Sequence, residues 1–246
     1  SLPVVKREEP YNRYAISGNS WYNMSFDYSY TYKNMHFFGE AAIDKRNNKA
    51  FVNGLLVSVD PRVDLSIVQR TISKGYQSIN GNAFTENTFP TNETGIYAGV
   101  SIRPAIGWKI DAYADFYKFP WLKFLVDAPS YGKDFLAQVT FTPNRQVEIY
   151  TRFKTETKQA NQSDNTTVTN FLVNLPKQNW RTQISYKLNT SFTIRNGVEL
   201  LWFDNNGVNK ANGFLTFFDF MYKPMLKPLS AVLRLQYFET DDYNSR

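Results

Sequence analysis

Apolar and polar residues alternate along most of this chain with a period of two. The clearest case is the stretch GWKIDAYADFYKFPWLKFLVDAPS, 107–130. Trp108, Ile110, Ala112, Ala114 and Phe116 fall on even positions, while Lys109, Asp111, Tyr113, Asp115 and Tyr117 fall on odd ones. Successive side chains of a strand point to opposite faces, so this segment predicts a strand with one apolar and one charged face. The same alternation predicts strands at Met24, Phe26, Tyr28, Tyr30 and Tyr32, and at Phe37, Gly39, Ala41 and Ile43. It returns at Val63, Leu65 and Ile67, and at Ile96, Ala98, Val100 and Ile102. In the second half it marks Phe135–Phe141, Val147–Phe153, Trp180–Leu188, Phe192–Trp202 and Leu229–Tyr237. Residues 51–59 are apolar on both faces and 215–222 are very aromatic; both still read as strands, and a short strand is expected at 14–17.

About twelve strands result, and their connections are expected to alternate strictly between short and mostly long. Short turns fall near Lys33, Pro61, Pro104, Pro143, Asn189 and Pro224, and longer loops near Arg46, Thr85, Leu122, Asp164 and Asn206. Short turns on one rim and long loops on the other mark an outer-membrane barrel. A soluble sandwich shares the period, but its loops need not sort by length, and a lipocalin-type barrel turns its apolar face inward. The expected fold is therefore all-β, an antiparallel transmembrane β-barrel over residues 19–246, preceded by a loop or arm at 1–18. The same sorting puts the first and last strands on the long-loop rim at their free ends. That predicts a barrel incomplete at both ends, part of one with about fourteen strands or more.

Composition sharpens this picture. No apolar run approaches the length of about 18 residues that a transmembrane helix needs, and the mean hydropathy is −0.45. Neither fact argues against a barrel, whose alternating strands average out as polar. Aromatics make up 17% of the chain, enough for girdles at two membrane interfaces. There is no cysteine, which excludes disulfides and thiolate metal sites. The net charge of +6 permits anionic lipid or nucleic-acid contact, yet Lys and Arg are dispersed with no RGG or KKR run, so no specific nucleic-acid partner follows. With no signal peptide before Ser1 and no initiator Met, the chain reads as a mature or trimmed product.

Four stretches carry a resemblance: NMHFFGEAAID (34–44), FVNGLLVSVDPRVDLSIVQR (51–70), GIYAGVSIRPAIGWKIDAYADFYKFPWLKF (95–124) and FLAQVTFTPNRQVEIYTRFKTETK (135–158). They resemble a family of Bacteroidota outer-membrane proteins usually named helix-hairpin-helix proteins. The resemblance implies an outer-membrane location in a Gram-negative bacterium. It also implies a barrel preceded by a signal peptide and helix-hairpin-helix repeats, and followed by further strands. Residues 1–18 are too short to hold such a repeat, so a link to DNA passes to no residue of this chain, and little is implied about activity.

Candidate chemistry lies on the polar face. Assigned to a lumen, that face carries Arg70, Arg103, Lys109, Arg152, Lys154, Arg181, Lys187, Arg195 and Arg234. It also carries Asp27, Glu40, Asp44, Asp64, Asp111, Asp115, Glu148 and Glu199. The signs nearly balance, which fits an ion-paired interior or opposed charged walls rather than a ring of one sign. Arg103, Lys109, Asp111 and Asp115 are expected to pair across the hairpin around residues 104–107. Tyr28, Tyr30, Tyr32, Trp108, Phe119, Trp121, Trp180 and Trp202 are the expected aromatic girdle, with Lys123 snorkelling beside it; the other reading of 119–125 is a loop that folds inward or meets a partner. The lone histidine, His36, would serve an enzyme only if a Ser or Asp converged on it. No metal site or cofactor is expected, although Asp241, Asp242 and the NQSDN stretch are acidic enough to touch Ca²⁺. The expected function is non-catalytic, a pore or transport channel whose partners are outer-membrane lipids and, beyond them, other outer-membrane proteins. The alternative is a plugged accessory barrel in a larger outer-membrane complex, and a barrel enzyme is the third reading.

Overall fold

The computed structural model describes residues 4–162, 170–205 and 209–242. Twelve antiparallel strands follow one another in chain order through a single sheet with no crossover. They are β1 (Asn23–Tyr32), β2 (Met35–Asp44), β3 (Lys49–Asp60), β4 (Val63–Ile72), β5 (Glu93–Ile102) and β6 (Trp108–Phe119). Then come β7 (Ser130–Phe141), β8 (Val147–Asn161), β9 (Leu172–Lys187), β10 (Phe192–Asn205), β11 (Asn209–Tyr222) and β12 (Ala231–Thr240). β1 is bonded to β2 and β12 to β11, and these are the two ends of the strand order. Among the described residues the one helical element is a 3-10 turn at Pro10–Asn12.

Contacts divide the chain into two units. The first comprises Ser1–Gly99, Ala114–Lys133 and Lys158–Asn174, and the second Val100–Tyr113, Asp134–Thr157 and Leu175–Arg246. In the first unit the register lines up Tyr30, Phe37, Leu55 and Ile67 across β1 to β4, and beside them Tyr32, Met35, Val57 and Leu65. These residues form an apolar face that is exposed: Tyr30 is 61% and Ile67 43% accessible. The opposite face carries the rows Asp27–Glu40–Val52–Arg70 and Ser25–Ala42–Ala50–Ile72. Burial occurs on that side, where Arg70 is 0% and Ile72 1% accessible, because the segment between β4 and β5 lies over it. Tyr76 of that segment packs with Ala50 and Ile72.

The second unit repeats the arrangement. Tyr186, Ile194, Phe220 and Leu233 share one row of β9 to β12, and Thr182, Val198, Thr216 and Tyr237 another. The opposite face has the rows Ser185–Arg195–Asp219–Arg234 and Gln183–Gly197–Phe217–Gln236. Phe217 and Asp219 are buried there at 3% and 1%, while Phe220 and Leu233 of the apolar row are 45% and 59% exposed.

Strand bounds depart from the expected ones where polar sequence predicts a loop. β8 and β9 reach Asn161 and Leu172, and β10 and β11 reach Asn205 and Asn209. Pairing is carried through Asp204↔Lys210 and Asn205↔Asn209: once neighbouring strands are in register, each further ladder bond outweighs the weak β-propensity of Asn and Asp. The strict alternation of connection lengths consequently fails. The links at 45–48 and 206–208 are short, and the one at 223–230 is longer than either. The strand expected at 14–17 is absent; the chain instead turns through Pro10–Asn12 and makes a single bridge, Val4↔Gly18.

Candidate functional site

In the first unit the charged face converges on Arg70. Its guanidinium donates from Nε to Glu93 Oε1 at 2.5 Å, and from Nη1 and Nη2 to the two oxygens of Asp115 at 2.9 and 3.0 Å. Arg70 and Glu93 are fully buried and Asp115 nearly so. Glu93 also accepts from the backbone N–H of Glu86 and Asn87, at 3.0 and 2.9 Å. The rings of Phe84 and Tyr117 lie 5.4 and 5.8 Å from the Arg70 guanidinium carbon. A cation bonded to two carboxylates and enclosed by aromatic faces satisfies the condition for burying charge at all. Asp115 thus pairs with Arg70 of β4. Lys109 salt-bridges Asp111 on its own strand at 2.9 Å, since residues two apart share a face, and Arg103 lies in the β5–β6 turn.

A second cluster occupies the other unit. Arg234 donates bidentately to Asp219, Nε at 2.6 Å and Nη2 at 2.8 Å, and Arg195 approaches the same carboxylate at 3.8 Å. The guanidinium carbons of Arg181 and Arg234 stand over Phe217 at 5.4 and 4.7 Å. Arg181 bridges Glu199 at 3.6 Å, and Glu199 also accepts from Asn179 Nδ2. Nearby, Lys154 pairs with the buried Asp134 at 2.9 Å, and the Tyr113 hydroxyl donates to the same carboxylate at 3.1 Å. Arg152 and Glu148 make no ion pair among the described residues.

Glu93, Asp134 and Asp219 are thus the buried acids around which the basic side chains gather, and the alternation pattern did not single them out. Glu93 follows an Asn- and Gly-rich segment without period, and Asp134 sits after Gly132 and Lys133 in the SYGKDF start of β7. Asp219 sits inside the aromatic run FFDF. A lone acid in an otherwise apolar strand is the one signal that could have found it.

Of the expected girdle, Trp108, Trp180 and Trp202 lie on the apolar face at 42%, 43% and 37% exposure. Trp108 stacks on Phe141 at 4.4 Å, and Trp180 Nε1 donates to Thr151 Oγ1 at 2.8 Å. Tyr28, Tyr30 and Tyr32 share the apolar side of β1, with the Tyr28 hydroxyl donating to Asn53 at 2.9 Å. Phe119 departs from the expectation: it follows Tyr117 on the charged face and is 3% exposed. Trp121 departs as well. The N-terminal arm covers it: Tyr14 packs edge-on at 5.5 Å, Trp121 Nε1 donates to the Pro10 carbonyl at 3.2 Å, and Lys74 lies 4.9 Å above the ring. Its backbone is tied to Asn92 by bonds of 2.7 and 2.8 Å. Lys123 does not snorkel outward; its Nζ rests 3.3 Å above the Phe119 ring. Burial, and after it the charge of Lys158, lowers Lys123 to about 8, while contact with the ring face acts in the opposite sense. Burial also raises the Tyr76 hydroxyl, with Glu40 and Asp44 adding to it.

His36 is bonded through Nδ1 to Thr31 Oγ1 at 2.8 Å and stacks on Phe38. Among the described residues no three His, Cys, Asp or Glu side chains are placed to hold a metal ion. Asp241 accepts from Asn212 N and Nδ2; Asp164 of NQSDN lies outside the described residues. No helix among the described residues is long and apolar enough to cross a membrane, which says nothing about strands. No protein-family model and no curated protein matches the chain.

Proposed function

We propose that this chain is a transmembrane β-barrel of a Gram-negative outer membrane, and that it acts as a non-catalytic pore for hydrophilic solutes. One observation carries the reading. In each unit one strand face carries a continuous set of exposed apolar side chains, as with Phe26 at 71% and Leu235 at 61%, while Arg70, Glu93, Asp115 and Asp219 are buried on the other. A soluble sheet buries its apolar face, and exposed apolar patches of this extent belong to contact with lipid or another apolar surface. Strands of ten residues or more are long enough to cross the hydrocarbon layer when tilted. The resemblance of 34–44, 51–70, 95–124 and 135–158 to Bacteroidota outer-membrane proteins supports the same location. Lys109, Asp111, Arg195 and Arg234, at 47%, 30%, 34% and 49% side-chain exposure, keep contact with water, which supports a wet interior.

The β4–β5 segment favours a second reading, an accessory barrel plugged and non-conducting within a larger outer-membrane assembly, because it covers the charged face of the first unit. Two measurements separate these readings. Quenching of Trp108, Trp180 and Trp202 fluorescence by bromine-labelled lipids tests membrane insertion; unquenched tryptophans would refute the barrel. Single-channel recording in planar bilayers tests conduction, and a folded, inserted protein that passes no current would refute the pore.

A further inference from the structure

The segment at residues 73–92 is long and rich in Asn, Gly, Ser and Thr, a composition expected of a solvated external loop. It does not project. Gln77 N donates to Asp44 Oδ2 at 3.2 Å, and Tyr76 is buried against Ala50 and Ile72 on the charged face of β3 and β4. Phe84 packs edge-on against Tyr97 at 5.3 Å and over the Arg70 guanidinium. Glu86 and Asn87 are pinned through their N–H groups to Glu93. Further in the same segment, Thr85 Oγ1 and Asn87 Nδ2 bond to the segment's own carbonyls, so it carries its own internal scaffold. Between it and the strands remains an open cavity of about 400 Å³, whose lining includes Asn23, Ser25, Glu40, Ser78, Asn80 and Asn82 and no Lys or Arg.

We propose that residues 73–92 form the constriction of the pore: a segment folded back over the charged wall, latched by Glu93, that sets the size limit for passing solutes. The inference rests on the pore reading. Glu93 makes one charge-assisted bond to Arg70 and two to backbone N–H groups, in a site closed to water, where such bonds are at their strongest. A loop that only covered a rim would need no buried anion to hold it. The cavity lining joins its amide and hydroxyl groups to apolar walls from Ala42, Val52, Ile72 and Ile79; its polar groups exchange hydrogen bonds with hydrophilic solutes without trapping them, as passage requires. Its one charged lining residue is the carboxylate of Glu40, so small neutral and cationic hydrophilic solutes are the class that it admits, and anions the class it disfavours.

The test is single-channel recording in potassium chloride with the full chain and three variants, each first shown to fold by its heat-modifiable mobility. In one, residues 78–88 are replaced by Gly-Ser-Gly-Ser. In the second, F84A/E93Q keeps the segment but loosens both attachments, in case the replacement fails to fold. The third uses the absence of cysteine: N82C is treated with a bulky thiosulfonate reagent. The expected results are a rise in unit current and in the size of sugar that enters for the first two, and a loss of current on modifying the third. A shift of reversal potential toward anion permeability is expected when the segment is removed. Current in the loosened or shortened variants but none in the wild type would overturn the constriction in favour of the plugged, non-conducting reading. Equal currents in wild type and variants, with no block of N82C, would overturn the constriction while leaving the pore intact. No current from any of them would overturn the pore itself, and the constriction with it.

Discussion

Replacing Arg70 by methionine probes the chemistry on which the first unit depends. Methionine keeps much of the volume and removes the charge. It leaves Glu93 and Asp115 facing each other without a cation, in a site where their side chains are 0% and 4% exposed. Removing one partner from a buried ionic group costs about 3–5 kcal/mol, because the remaining charge stays desolvated and unpaired. For a sheet protein whose stability falls by about 2 kcal/mol per molar urea, that displaces the midpoint by roughly 2 M. The assay is reversible unfolding in detergent micelles, followed by tryptophan emission and by gel mobility of unheated samples. The triple variant R70M/E93Q/D115N separates charge from packing: it removes the stranded anions and should recover most of the loss, as neutral replacements of buried ionic triads do. A midpoint change for R70M below about 0.5 M would match an exposed ion pair and refute the dry cluster. A triple variant no better than R70M would show that packing under Phe84 and Tyr117, and not charge, is what Arg70 supplies.

Three further perturbations address other parts of the structure. At Gly197 an added Cβ would fall within the ring of Phe217, so G197V must displace the ring beneath the Arg181 and Arg234 guanidiniums. It should lower stability by about 1–3 kcal/mol, the usual cost of overpacking, and a midpoint equal to wild type would refute the close approach. Asp27 and Glu40 stand directly opposite on β1 and β2, and neither has an ion-pair partner among the described residues. E40Q should therefore raise stability by about 0.2–1 kcal/mol, and a loss would refute the repulsion. Lys123, lowered to about 8 from its usual 10.5, gives up its proton in the native state while the unfolded chain still holds one. Between those values the unfolded state binds more protons, so stability rises with pH across that window. The melting temperature of the wild type should climb relative to that of K123M from pH 8 toward pH 10, and parallel curves would refute it.

The two faces of the strands are legible from alternation alone, because a strand's period is two whatever it packs against. Trp108–Phe116 on one side and Lys109–Asp115 on the other is how β6 divides. Depth and partner are another matter. Arg70 and Arg234 read alike as charged-face residues, yet one is 0% accessible and the other half-exposed. The difference lies in the β4–β5 segment, whose folding back depends on the bond from Gln77 to Asp44 and on Glu93 reaching Arg70, pairings far apart in the chain that no local pattern encodes. Phe119 misleads for a related reason: an aromatic near a strand end suits an interface, but its odd position carries it to the charged side, under Lys123. Strand ends at 161, 172, 205 and 209 were hidden because ladder bonding between paired strands overrides the turn preference of Asn and Asp. The charge balance, by contrast, is a matter of composition, and its meaning changes once Glu93, Asp134 and Asp219 enter it as buried acids.

On the proposed barrel reading, the two terminal strands of the sheet carry a consequence for membrane entry. Among the described residues, β1 and β12 each present one ladder edge without a partner strand. On a ten-residue strand, roughly five N–H and five C=O groups point along that edge. At a few kcal/mol for each unmet group in hydrocarbon, an open edge costs tens of kcal/mol there, more than the whole stability of a typical domain. In water the same edge is tolerable but adhesive, a template for other strands. For a chain of the proposed kind, insertion and edge pairing would be one event, since such strands could not enter lipid first and find their neighbours afterwards. On that reading, the two edges would have to stay apart from those of other copies until pairing and burial happen together.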